Sequence, residues 1–404
     1  MRGLAGAGLV IAASVAACIA SASRAAAAPP VFVHVVPWYA AKSFSGQWGW
    51  HWTMGRFDPV APASTGQLTC AAHDPPAIGL YDSRDPAAVE CQVQLMKLAG
   101  IDGAVIDWYG NDALHDYAAI HAAADLLVKT LARAGLRFAI CYEDRAAAEL
   151  AKGRPAEGDA VAVCRRHLAW LTANWCAAPG YERVDGRPLV LVFGPRSLLA
   201  DDEWRRARAG LTPAPLLLGL PLVWRPAGLD GTFGWPPVSG DREIPPAEYG
   251  AYLERLAAES RGGVPTVAVA FPAFHDVYAE AGLHPSYGSI AERDGATLTE
   301  SLDAALATPA LVVQIATWND HGEGTAIEPT RDRGTTRLLR VARRLRGAAA
   351  PTADDLALPQ RLLHLRRAEG APGADTRLHT AGDHLLAGRL TEARRMIEDA
   401  EGPR

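Results

Sequence analysis

Eight short apolar runs recur along the chain, most of them separated by helical patterns, and few architectures accommodate that order. The runs are residues 31–36, 103–110 with a polar and aromatic end, 138–141, 188–193, 216–223, 232–235, 266–271 and 311–317. A continuous apolar run of this length is how a strand buried on both faces reads. Helical spacing fills 85–100, 113–134, 159–175, 246–261, 297–307 and 335–346. The first of these opens on Asp85-Pro86 and closes on Gly100, an N-cap, a first-turn proline and a C-terminal glycine. Eight strands alternating with helices predict an α/β fold, a (β/α)8 TIM barrel over 31–347. Beyond a small-residue linker, 351–404 is Arg-rich and reads as a small C-terminal helical appendix of two or three helices. The second half of that appendix faintly resembles one tetratricopeptide-like hairpin.

Polar and aromatic residues repeatedly follow the strands: Trp38, Asp107, Glu143, Trp224, His275 and Asp320. In a barrel of this kind they converge on the carboxyl face, where such folds keep their sites. The densest stretch is 311–329, LVVQIATWNDHGEGTAIEP, in which Trp318, Asn319, Asp320, His321, Glu323 and Glu328 crowd one loop. Asp320 and Glu323 lie three apart, and one tight turn brings such neighbours to roughly 5–6 Å between Cβ atoms. That is close to the roughly 5–5.5 Å carboxyl separation of retaining glycoside hydrolases. The long loop 40–83 holds Trp48, Trp50, His51 and Trp52 and is expected to face a substrate, as long loops in compact domains do.

The net charge of -5 argues against a nucleic-acid surface. Residues 1–28 read as a signal peptide, with Arg2, an apolar stretch and Ala26-Ala27-Ala28. The alternative is the lipoprotein-like box Val15-Ala16-Ala17-Cys18, in which Cys18 is lipidated and the protein is held at a membrane. Either way the expectation is a secreted, periplasmic or cell-surface protein. Removing the leader leaves Cys70, Cys91, Cys141, Cys164 and Cys176. The expected disulfides are Cys70–Cys91 and Cys164–Cys176, with Cys141 left over as a buried thiol. No phosphate loop, dinucleotide fingerprint or metal-ligand spacing appears, so neither cofactor nor metal is inferred.

Several stretches, taken in order, resemble one family. They are Pro37-Trp38-Tyr39, His51-Trp52, the run from Gly79 to Asp85, Ala99-Gly100-Ile101, and the run from Thr317 to Glu328. Together they resemble glycoside hydrolase family 99 and the related family 71 proteins, among them endo-acting α-mannosidases, across the whole barrel. In that family the last loop reads Asn-Glu-Trp-His-Glu-Gly-Thr. The resemblance implies that its first glutamate assists attack by the sugar's own 2-hydroxyl and that the second protonates the leaving oxygen. By position these are Asp320 as base and Glu323 as acid. This chain departs from the pattern in having the shorter Asp320, and His321-Gly322 in place of Trp-His. Glu328-Pro329 is expected to brace the loop.

The resulting expectation is an exported hydrolase of an α-linked, α-mannan-like glycan, its partner an oligo- or polysaccharide. Expected substrate contacts are Trp38, Tyr39, His51, Trp52, Asp107, Trp108, Tyr109, Tyr142, Glu143, Trp224, His275, Trp318, Asn319 and His321. For Asp107 and Glu143 a salt bridge to an arginine is an equal alternative, and for the tryptophans a place in the core. Two other functions stay open: a non-catalytic carbohydrate-binding barrel, and a family 71-like α-1,3-glucanase.

Overall fold

In the computed structural model, residues 28–61, 68–368 and 376–402 are described. The leader and Cys18 lie outside them. Eight parallel strands close into a barrel: β1 (Val31–Val35), β2 (Gly103–Trp108), β3 (Arg137–Tyr142), β4 (Arg187–Val192), β5 (Leu216–Gly219), β6 (Gly231–Phe233), β7 (Thr266–Ala270) and β8 (Val312–Ile315). Neighbours run 3-2-1-8-7-6-5-4, and a β3–β4 pairing closes the ring. This is the (β/α)8 fold the sequence predicts.

Strand side chains alternate in direction, and here the alternation sorts the core into two layers. Phe32, Val105, Ala139, Cys141, Leu189, Leu191, Leu216, Leu218, Phe233, Val267 and Val312 fill the barrel. Their neighbours along the strands, such as Val33, Ile106, Ile140, Val190 and Leu217, pack outward against the helices. The helix Pro86–Ala99 is capped as its sequence implies: Asp85 accepts from the Ala87 amide, and Gly100 ends it at a φ of 81°. Two helices that the periodicity did not show, Asp144–Gly153 and Asp201–Ala207, follow β3 and β4.

The C-terminal helices Ala353–Ala368, Thr376–Leu386 and Leu390–Glu401 lie against the Pro86–Ala99 side of the barrel. Arg366 pairs with Glu90 at 2.8 Å, and Arg133 joins Glu90 to Asp383 at 2.9 Å each. Apolar burial of Leu356, Leu362, Leu378, Leu385 and Ile397 in the layer shared with the barrel is the larger stabilising term, because partly exposed ion pairs contribute little.

The expected disulfides are absent. Cys70, Cys91, Cys141, Cys164 and Cys176 are all free and all buried. A disulfide needs Cα atoms roughly 4.4–6.8 Å apart, a requirement that separation along the chain does not express.

Candidate active site

The loop after β8 is tied to β1 at several points, and those ties set the position of its carboxylates. The Trp318 amide donates to the His34 carbonyl at 2.7 Å. The Asn319 side chain accepts from the Val36 amide at 2.9 Å and donates back to the Val36 carbonyl at 3.1 Å, so an amide side chain extends the ladder where the backbone leaves it. Tyr39 donates its hydroxyl to the Asn319 carbonyl at 2.9 Å. Behind the loop, Glu328 accepts from Tyr81 at 2.8 Å, His321 Nε2 at 2.6 Å and Gln92 at 3.2 Å. Buried polar groups are costly unless paired, and this cluster is fully paired around Glu328.

Within the loop, Asp320 accepts the Glu323 amide at 2.9 Å, and the Thr317 hydroxyl accepts the Asp320 amide at 2.8 Å. Gly324 makes the turn at a φ of 68°, where an added Cβ would stand 2.8 Å from the His275 carbonyl, so no other residue fits without strain. The turn presents Asp320 and Glu323 side by side to a cleft of about 790 Å³ at the carboxyl end of the barrel. Tyr278 donates to Glu323 Oε1 at 3.2 Å, while Oε2 has no partner among the described residues.

The cleft walls are aromatic. Trp38 stacks on His51 with ring centres 4.2 Å apart, and Trp38 Nε1 is buried without a partner among the described residues. Trp235 meets His34 and Phe193 edge-on at 4.8 and 4.9 Å, and Tyr278, His284 and Tyr287 form the opposite lip. Asp107, Tyr109 and Glu143 line the floor and side. Neither Asp107 nor Glu143 forms a salt bridge among the described residues, although Arg196 and Arg145 act on Glu143 from a distance.

Four carboxyl groups therefore line one cleft, and burial makes each of them a weaker acid. Burial raises Asp320 to about 6, held back by hydrogen bonds from the Glu323 and Gly322 amides. Burial and then the charge of Asp320 lift Glu323 well above the ordinary carboxylate range. Burial and then Glu143 do the same to Asp107, and burial lifts Glu143 to about 7. His51 and His34 are pushed the other way by burial, to about 3 and about 4. All four carboxyls bind protons more tightly folded than unfolded. Their stabilising contribution is complete below about pH 4, the unfolded value, and is lost as pH rises through about 6 and about 7. The expected result is a melting temperature that falls between pH 5 and pH 8, and an Asp107→Asn variant whose melting temperature falls less steeply.

Of the residues expected from the sequence, Asp320, Glu323, Trp38, Tyr39, His51, Asp107, Tyr109 and Glu143 come together in the cleft. The others lie elsewhere. Trp108, Tyr142, Trp224 and Trp318 point into the outer apolar layer, with Trp108 donating to His121 and Tyr142 bonded to His167. Trp52 is fully buried, stacked under Tyr39 and donating to the Tyr81 carbonyl. Asn319 and His321 hold the loop from behind. His275 stacks on His73 outside the cleft. The sequence reading missed His34, Phe193, Arg196, Trp235, Tyr278 and Tyr287. For His34 the signal was present, since it shares inward parity with Phe32.

A second device supports this wall. The Asp144 carboxylate accepts the amides of Arg196 at 2.9 and 3.0 Å, Ser197 at 2.7 Å and Leu198 at 2.9 Å. Asp144→Ala leaves three amides unpaired at about 1–3 kcal/mol each. A loss of at least about 3 kcal/mol in denaturant-determined stability is expected.

No protein-family model matches the chain. A rat glycoprotein endo-alpha-1,2-mannosidase is 29% identical over 116 residues, 26% of this chain and 24% of the rat protein. The chain thus spans about a quarter of the length of that curated relative. Among solved structures, the family 99 endo-alpha-mannosidase of Bacteroides thetaiotaomicron superposes with a TM-score of 0.58 at 19% identity, covering 77% of this chain and 95% of that one. A glycoside hydrolase-like protein superposes with a TM-score of 0.54 at 10% identity, covering 78% and 94%. The resemblance to family 99 read from the motifs therefore holds in the fold.

Proposed function

Starting from a barrel shared with family 99, we propose that the protein is an exported glycoside hydrolase that cleaves an α-linked, α-mannosyl glycan. One observation carries the reading: two carboxyls in one turn, both lining one aromatic cleft, with the charge of Asp320 adding to burial in raising Glu323. Asp320, at about 6, is mostly ionised at neutral pH, and Glu323, raised well above the ordinary carboxylate range by burial and then by the charge of Asp320, is the better proton donor of the two. That is the split an acid–base pair needs. Asp320 assists attack by the 2-hydroxyl of the sugar on its own anomeric carbon, and Glu323 delivers its proton to the departing glycosidic oxygen. Trp38, His51 and Tyr109 supply stacking faces, and Asp107 and Glu143 supply polar contacts to hydroxyls. Asp320 is one methylene shorter than the family glutamate, so the sugar must sit deeper over the loop.

The test is a panel of α-mannans and α-glucans offered to the wild-type protein and to Glu323→Gln. Hydrolysis of an α-mannan by the wild type alone supports the proposal. Hydrolysis confined to α-1,3-glucan moves the substrate to the family 71 type. Binding without turnover in both proteins replaces the enzyme with a carbohydrate-binding barrel.

A further inference from the structure

Three adjacent strands each place one heteroatom donor in the barrel interior, that of β1 one inward position before those of β2 and β3. They are His34 on β1, Asp107 on β2 and Cys141 on β3, with Asp107 and Cys141 paired in register. Their donor atoms all lie within 4.8 Å of one another, and the residues are 1%, 2% and 0% exposed. Aliphatic and aromatic residues such as Phe32, Val105 and Ala139 pack below them, Gln314 stands beside His34, and Tyr109 and Glu143 stand near Asp107. We propose that His34, Asp107 and Cys141 bind one zinc-type divalent cation, whose remaining coordination positions open into the cleft.

The donor chemistry suits such an ion. Imidazole nitrogen, carboxylate oxygen and thiolate sulfur together favour a borderline-soft cation, and zinc takes all three. Three protein ligands leave a fourth position open, the arrangement of reactive rather than structural zinc sites. A thiolate and a carboxylate balance the double charge, the Cys141 proton leaving to solvent on binding.

Two observations beyond proximity point to a ligand. Asp107 Oδ1 is buried and has no hydrogen-bond partner among the described residues, a costly state that an ion relieves. The His34 ring is also pre-set. Gln314 donates its amide to the Gly234 carbonyl at 3.1 Å, which turns its oxygen to His34 Nδ1 at 3.0 Å. The His34 proton therefore sits on Nδ1 and the Nε2 lone pair is left for a metal, the second-layer support that metal-binding histidines usually have. Bond lengths of about 2.0–2.3 Å put tetrahedral ligand atoms roughly 3.3–3.7 Å apart, so binding draws the donors together by about 1 Å through side-chain rotation. No local motif records the site, because its ligands come from three separate strands.

A zinc ion here would take Asp107 from the sugar contacts of the glycosidase reading and leave Asp320 and Glu323 in place, and the test needs no activity. The full chain is stripped with a chelator, titrated with Zn²⁺ for stoichiometry, and loaded with Co²⁺ for spectroscopy. One Zn²⁺ per chain is expected, together with a near-ultraviolet thiolate-to-cobalt charge-transfer band. Cys141→Ala should abolish the band and Asp107→Asn should weaken zinc binding, with melting curves checking that both variants fold. Gln314→Ala should keep the band while weakening zinc by about 10–100-fold. His275→Ala removes a member of the exposed His73, His275 and Glu280 group and should change nothing. Failure of the folded wild type to retain zinc, or a band that survives Cys141→Ala, overturns the proposal.

Discussion

Glutamine at position 323 is expected to lower kcat/KM on an α-mannan by on the order of 10²–10⁴-fold, the usual contribution of a positioned general acid. The substitution keeps the side chain's size and its contact with the Tyr278 hydroxyl, seen at 3.2 Å, so KM should scarcely change. What disappears is the carboxyl proton of a group whose Oε2 has no partner among the described residues. A substrate with a leaving group that departs unprotonated, such as a glycosyl fluoride, should recover most of the lost rate. A deficit equally deep on both substrates would remove Glu323 from the acid role, and an unchanged melting curve would exclude misfolding as the cause.

The second large effect belongs to Asp320. Asp320→Asn retains an oxygen for the Glu323 amide, now held at 2.9 Å, but removes the charge that assists the attacking hydroxyl. A loss of roughly 10²–10⁴-fold is expected, and here an activated leaving group should give no rescue. The pH profile carries the sign. In the proposed roles Asp320 works ionised, so the wild-type rate is expected to fall as pH drops through about 6. Glu323 works protonated in that proposal, so the rate is expected to fall again as pH rises through its raised value. In Asp320→Asn the acid limb should vanish. Glu323, freed from its neighbour's charge, should titrate at lower pH, readable by carbon NMR. Asp320→Glu keeps the charge but moves the carboxylate by about 1 Å, enough for on the order of a 100-fold loss.

How far the site was legible in the sequence follows from the geometry of a strand. Apolar runs and their polar ends located the strands and the convergence of Asp107, Glu143 and Asp320 on one face. They did not separate Asp107 from Trp108, which are adjacent in sequence and point to opposite sides of the wall. Counting by twos does separate them. Val105 lies inside, as do Asp107 and Tyr109, whereas Ala104, Ile106 and Trp108 face the helices. The same count brings His34 inside with Phe32. Tyr278, Tyr287 and Arg196 lacked even that signal. They arrive on irregular segments pinned by side-chain bonds, such as those that Asp276 accepts from the Ser286 hydroxyl at 3.0 Å and the Tyr287 amide at 2.8 Å. The helices Asp144–Gly153 and Asp201–Ala207 are short, and few turns leave little periodicity to read.

Asn319 bonds to Val36 across 283 positions of chain, and that span has a temporal consequence. At roughly 5–20 residues per second of synthesis, the partner of Val36 emerges tens of seconds after Val36 itself. Until then the first strand has only β2 beside it and the loop bearing Asp320 does not exist. The carboxyl pair is thus assembled by the same event that seals the ring, so a ribosome-bound or N-terminally nicked chain has no competent centre. The Asp320–Glu323 turn takes its place only when the two distant ends of the barrel meet.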